Sequence, residues 1–308
     1  MTPIHDILRF ALRTLSPHRP LAALALAALL PILGANQPAP RDLSLPFTLT
    51  EQNNIVLRVL VNETDALDLM LHTAAREVTL TEEAVKKSTS LKFTAAATVQ
   101  TWGGEANSRF SRGNRVRIGT LQRDNLTIWE NRNSGPGTDG KFGLDLFPHR
   151  IVEIDFDRRR IELHHRLPRK ASGYARLRID NQNGQLFVEG RCLIEGTAHA
   201  GKFLLHSGYS GGLLLDDEFA ARTGVDGKIR ITEESSLKDS FGNIIKVKKG
   251  LLPAFTLGGI SISDVPAGFF AGAIGAQKMS VPGGDVLKRF NLIFDLTAND
   301  LYLTPRRA

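Results

Sequence analysis

Leu69-Met70-Leu71-His72-Thr73-Ala74-Ala75 and Phe203-Leu204-Leu205-His206-Ser207-Gly208-Tyr209 are two versions of one pattern. Each is an apolar run of β-forming residues that breaks at a His, a small hydroxyl residue and then Ala or Gly. Such a run reads as a buried strand entering a tight loop. The chain beyond each copy repeats as well. After the first comes Thr81-Glu82-Glu83-Ala84-Val85-Lys86-Lys87, whose capping Thr, early acids and late lysines predict a short helix. After the second, Leu213-Leu214-Leu215 leads into a predicted helix from Asp216 to Arg222, with Gly224 just past its end.

Both halves also close alike. Phe142-Gly143-Leu144-Asp145-Leu146-Phe147 precedes Ile154-Asp155-Phe156, and Gly283-Gly284-Asp285-Val286-Leu287 precedes Phe294-Asp295-Leu296. Asp145 and Asp285 are 140 residues apart, as are Asp155 and Asp295, while His72 and His206 are separated by 134. A register held so closely is what an internal duplication leaves. The natural boundary is Pro168 to Gly173, which gives an amino-terminal lobe over residues 45–168 and a carboxy-terminal lobe over 173–305. Two similar lobes place a concave site between them. Asp42 to Thr50 reads as a linker entering the first strand.

The 308 residues are 42% hydrophobic and 23% charged, ordinary for a soluble globular protein, and the 28 glycines with few helical runs favour a turn-rich β fold. The amino terminus stands apart. Arg9, Arg13 and Arg19 precede an apolar run from Leu21 to Gly34, and small and polar residues come after it. That is the layout of a secretory signal over residues 1–35, with a linker over 36–44; an uncleaved anchor is the alternative. The mature chain is expected in the periplasm or cell envelope, touching a membrane only through that segment if it is kept. With Cys192 alone no intramolecular disulfide can form, and on its alternating run the thiol reads as a small buried hydrophobe. The formal charge of +7 is scattered and not interleaved with aromatics, so nucleic acid is not an expected partner.

At these residues the chain resembles the retropepsin-like and pepsin-like aspartic proteases of bacteria. In that family each half has a buried strand ending in Asp-Thr/Ser-Gly, a capped helix, a Gly-tipped flap hairpin, an apolar-Gly-x-Asp-Leu-type turn and a strand ending in an Asp-Phe/Tyr-type pair. The resemblance runs roughly from Leu45 to Pro305. It implies an all-β, mostly antiparallel, bilobal pepsin-like fold, with Trp102-Gly103-Gly104 at the flap tip as a ligand-binding element. The catalytic centre departs from the family. His72 and His206 occupy the positions of the two catalytic Asp residues, while Thr73 and Ser207, which brace the loops in the family, are kept. Gly208 is kept in the second loop, and Ala74 replaces Gly in the first, restricting the backbone there.

A carboxylate pair shares one proton and activates a water, which two imidazoles do not reproduce directly. Three expectations result. The chain binds a peptide or polypeptide in the cleft without the usual cleavage; or His72 and His206 work as an acid–base pair nearer neutral pH, since free imidazole titrates at about 6.5; or they hold zinc. Catalytic zinc takes about three protein ligands, and neither His199 nor His164-His165 is placed to supply a third, so no metal or other cofactor is expected. Gly208-Tyr209-Ser210-Gly211-Gly212 matches the serine-hydrolase elbow in letters only, because Leu213-Leu214-Leu215 stands where a helix should begin. Asp139, Asp145 and Asp285 read as turn formers.

Overall fold

The computed structural model describes residues 42–101, 104–238, 244–270 and 277–307. The amino-terminal segment read as a signal lies outside these, as do Trp102 and Gly103. Three sheets organise the chain. One is built from residues 48–142, one from residues 180–282, and a six-stranded sheet joins them.

The joining sheet displays the duplication directly. Its order is Leu43–Pro46, Arg160–His164, Ile151–Asp155, Phe290–Asp295, Asp300–Pro305, Ala175–Arg178, all antiparallel. The two middle strands, one from each half, pair as Val152↔Phe294, Glu153↔Ile293 and Ile154↔Leu292. Outward from that seam each half supplies the same sequence of elements in mirrored order. Val152, Ile154, Leu292 and Phe294 are almost fully buried, so the seam is part of the core and not a surface contact. Leu43–Pro46 corrects the linker reading of this stretch. Only Leu45 within the strand and Phe47 after it are buried, too little alternation to announce a strand.

The amino-terminal lobe starts with the hairpin of Ile55–Val61 and Asp65–Leu71, whose alternating burial matches its alternating apolar residues. Leu69, Met70 and Leu71 then run parallel to Gly140–Phe142. The other lobe repeats this with Gln185–Ile194 and Thr197–Leu204, and a parallel bridge joins Phe203 to Ser280. Both predicted helices form. Thr81 caps Glu82–Lys87 by accepting from the Ala84 N–H, and Asp216 caps Asp217–Thr223 by accepting from the Phe219 N–H. Gly224 ends the second helix at φ 64°, where a side chain would be strained. A long hairpin, Ala95–Thr101 with Gly104–Ile118, holds the place expected of a flap and pairs as far as Thr101↔Gly104. Cys192 is fully buried, and burial pushes its thiol up to about 12, as a packed hydrophobe requires.

Candidate functional site

The two signature loops meet at the middle of the molecule. Strand Asp65–Leu71 ends as the His72 N–H donates to the Phe142 carbonyl at 2.9 Å, and the His206 N–H donates to the Pro282 carbonyl at 3.2 Å. Each loop then turns on itself, Ala75 N–H to His72 O and Tyr209 N–H to His206 O. The hydroxyls cross between halves. Thr73 Oγ1 donates to Leu205 O at 2.7 Å and accepts from the Ser207 N–H at 3.0 Å. Ser207 Oγ donates to Leu71 O at 2.7 Å and accepts from the Thr73 N–H at 3.0 Å. Four buried backbone groups are thereby satisfied by two side chains, which fixes the loops to one another.

On this brace the imidazoles of His72 and His206 face each other, ring centroids 4.4 Å apart and planes tilted by 57°. Gly208 is required by that approach: a Cβ there would stand 2.1 Å from His72 Cδ2. At the matching position of the first loop, Ala74 keeps an ordinary negative φ and packs against the cluster of Phe187, Leu204 and Tyr209. Its methyl is accommodated, and its N–H donates to His72 Nδ1 at 3.2 Å. An Nδ1 that accepts leaves Nε2 to carry the ring proton. Gly143 and Gly283 pass too close to the loops for a side chain; a Cβ would lie 2.0 Å from Ala75 O and 2.4 Å from Gly211 O respectively.

Both rings are held toward the neutral form. Burial lowers His72 well below its ordinary value, with His206 and then Lys141 adding to the effect. Burial also lowers His206, to about 4, and Lys141 contributes again. Lys141 is the residue that sequence reading missed. It lies on the strand Gly140–Phe142 as the register partner of Met70, and the matching residue in the second half, Val281, is fully buried and apolar. A lysine inside a short apolar strand, opposite a Val in the duplicate, was the available signal.

The described residues hold no group of three or more His, Cys, Asp and Glu that could bind a metal. His199 sits on the strand Thr197–Leu204, and the His164 ring is engaged by Glu153 and Asp42 on the joining sheet. Gly104 is the one flap-tip residue within the described backbone, and it begins a strand. Ser210 is followed by the strand Leu213–Leu215, so no nucleophile elbow forms. Of the three loop aspartates, Asp285 has local partners, and Asp139 departs from the turn-former reading by bonding across to the strand Asp65–Leu71. Asp139 Oδ2 accepts from the Asp68 N–H, and Asp285 pairs with Lys288 and Arg289. Loss of hydration pushes Asp145 up to about 6, although its side chain still meets solvent.

A crystal structure of an aspartic proteinase from Irpex lacteus aligns with this chain at a TM-score of 0.56 and 14% identity, covering 86% of this chain and 97% of that one. The fold is pepsin-like. At that identity the likeness speaks for fold alone. No protein-family model and no curated protein matches the sequence.

Proposed function

We propose that this chain is an exported homologue of aspartic proteases that binds a peptide or polypeptide in the cleft between its lobes and does not cleave it by the paired-carboxylate route. One observation carries the reading. The facing side chains on the braced loops are two imidazoles, both pushed toward neutrality by burial and by a neighbouring lysine. The aspartic route needs one ionised and one protonated carboxyl on a shared water. Two neutral imidazoles near pH 7 supply neither a negative charge nor a strong acid. The Thr73–Ser207 brace that positions them is intact, with Ala74 for Gly the one change in the loops beside the histidines, which favours a groove kept for binding over a fold in decay. The periplasm or cell envelope is the proposed compartment, on the strength of residues 1–35.

The second reading is a hydrolase in which neutral His72 is the base and protonated His206 the acid. His206 lies at about 4, so that division of labour becomes available only in acid. Zinc on the two imidazoles would have to recruit its remaining ligands from substrate and water, and the Lys141 charge opposes a cation there. The test is incubation of the mature protein with a diverse peptide pool from about pH 3.5 to about pH 8, with and without chelator, read by mass spectrometry beside equilibrium binding of the same pool. Binding without new termini supports the proposal. Cleavage abolished by both His72→Asn and His206→Asn overturns it, and chelator sensitivity would then assign the chemistry to metal.

A further inference from the structure

The centre where the two loops meet is opposite in charge character to a carboxylate pair, and that character comes from three basic side chains, His72, His206 and Lys141. Met70 and Lys141 are register partners in parallel strands, so their side chains leave the sheet on the same side. His72 lies two residues beyond Met70 and leaves on that side as well. Phe142, next to Lys141, fixes the start of the His72 loop through its carbonyl. Lys141 is thus delivered beside the imidazole pair by the same strand that holds the loop in place.

The duplication shows how specific this placement is. Offset by 140 residues, Phe142 corresponds to Pro282 and Gly143 to Gly283, and both pairs perform the same task in their lobes. Lys141 corresponds to Val281, which is fully buried in the second apolar cluster. The other half therefore carries an apolar residue at the position where this half carries a cation. Its ammonium acts on both rings. Among the described residues, no carboxylate is among the main groups acting on either ring. With Nδ1 of His72 accepting from the Ala74 N–H, the proton on Nε2 is free to be donated away from that contact.

We propose that the cleft floor binds a carboxylate group of its ligand, held by the Lys141 ammonium and by donation from the His72–His206 pair. The proposal rests on the peptide-binding reading and names what such a ligand brings to the centre: a free carboxy terminus, or an Asp or Glu side chain. A carboxylate accepts charge-assisted bonds from an ammonium and from imidazole N–H groups. It also converts the mutual discouragement of three basic groups into attraction, because an anion between them stabilises the cationic form of each. A neutral carbonyl gains far less from the same three groups.

The test uses the full mature chain with histidines isotopically labelled. N-acetylalanine and N-acetylalaninamide are titrated separately while the His72 and His206 ring signals are followed by NMR. The acid should shift both rings and raise their titration midpoints, and the amide should leave them in place. Matched peptides form the second arm: free-acid against amidated carboxy termini, and internal Glu against Gln. The preferred partner in one of these pairs should bind at least about tenfold more tightly, the scale of one charge-assisted bond, and which pair it is identifies the source of the carboxylate. Lys141→Met should fold, since Val281 serves at the same place, and should abolish the preference. Lys141→Arg should retain it. Equal ring shifts from acid and amide, or none from either, overturn the carboxylate site; so does an unchanged preference in Lys141→Met. Peptides that bind with no preference would sink this inference alone. Selective ring shifts from N-acetylalanine with no peptide bound would sink the peptide reading and leave the carboxylate site standing.

Discussion

Thr73 and Ser207 hold each other reciprocally: the N–H of each donates to the hydroxyl of the other at 3.0 Å. Both residues are buried, and each hydroxyl also donates across to the opposite strand end. Thr73→Val keeps the shape and removes the hydroxyl, leaving the Ser207 N–H and the Leu205 carbonyl buried without partners. Each such group costs about 1–3 kcal/mol, so Thr73→Val should lose roughly 2–5 kcal/mol in urea denaturation. Thr73→Ser keeps all of the bonds and should lose only about a methyl group's worth, near 1 kcal/mol. Equal losses in the two variants would mean that packing, not the hydroxyl brace, holds the loops.

The share of the molecule legible in its sequence depends on which interactions leave a local trace. Alternation in Ile55–Val61 and the caps at Thr81 and Asp216 are local, and the elements formed where those residues placed them. The duplication was legible because register survives at a fixed offset even where residues change. It brought His72 and His206 together before any geometry was known, and their rings do face each other. Leu43–Pro46 left no trace, since a four-residue edge strand buries one side chain and borrows its pairing from Arg160–His164, more than a hundred residues away. Lys141 left one trace, a charge where the duplicate carries Val281, but its place beside the histidines left none. Its meaning comes from the neighbouring parallel strand, whose pairing with Met70 no local pattern encodes.

The imidazole pair sets a pH dependence of definite sign. Both rings titrate below about 6.5, the ordinary value, because burial opposes their charged form. As pH falls from about 6.5 toward 4, the unfolded chain takes up protons that the folded chain refuses, so stability declines with acid over that window. Unfolding free energies measured across it should slope accordingly, and His206→Asn should flatten part of the slope. Ring midpoints by NMR at or above 6.5 would contradict the electrostatics described for the cleft floor.

His164 on the joining sheet has the opposite sign. Its Nε2 stands 2.9 Å from Glu153 Oε2 and its Nδ1 2.9 Å from Asp42 Oδ2, so both ring nitrogens face carboxylates. Lys170 pairs with the same fully buried Glu153. The hydrogen bond to Glu153 is the first reason the His164 value is raised, and Glu153 and Asp42 are lowered in turn. The His164 contribution is complete below about 6.5 and disappears as pH rises through its raised value; the carboxylate contributions hold above about 4.5 and disappear as pH falls through their lowered values. His164→Phe should cost about 2–4 kcal/mol near pH 5.5, most of it from the buried Glu153 bond, since Asp42 is largely solvated. The same variant should lack the decline in stability expected of the parent chain as pH rises through the raised His164 value. A variant whose pH profile runs parallel to the parent's would show that His164 is not charged in the folded state.

Gly208 and His72 are coupled through space, and the coupling can be measured. A methyl group on Gly208 would overlap the His72 ring at 2.1 Å from Cδ2, and the second-closest ring atom, Nε2, would be at 2.4 Å. The ring cannot yield without giving up the Ala74 N–H bond to Nδ1, and the loop cannot yield without disturbing the Ser207 brace beside it. Gly208→Ala should therefore cost about 1–3 kcal/mol from overpacking and should part the two imidazoles. In a His72→Ala background the obstruction is gone, so the same glycine change should cost well under about 1 kcal/mol. The double-mutant cycle then returns a coupling energy of the same size as the single-variant penalty. Additive losses would mean that the Gly208 backbone, and not the proximity of the ring, demands glycine at this loop.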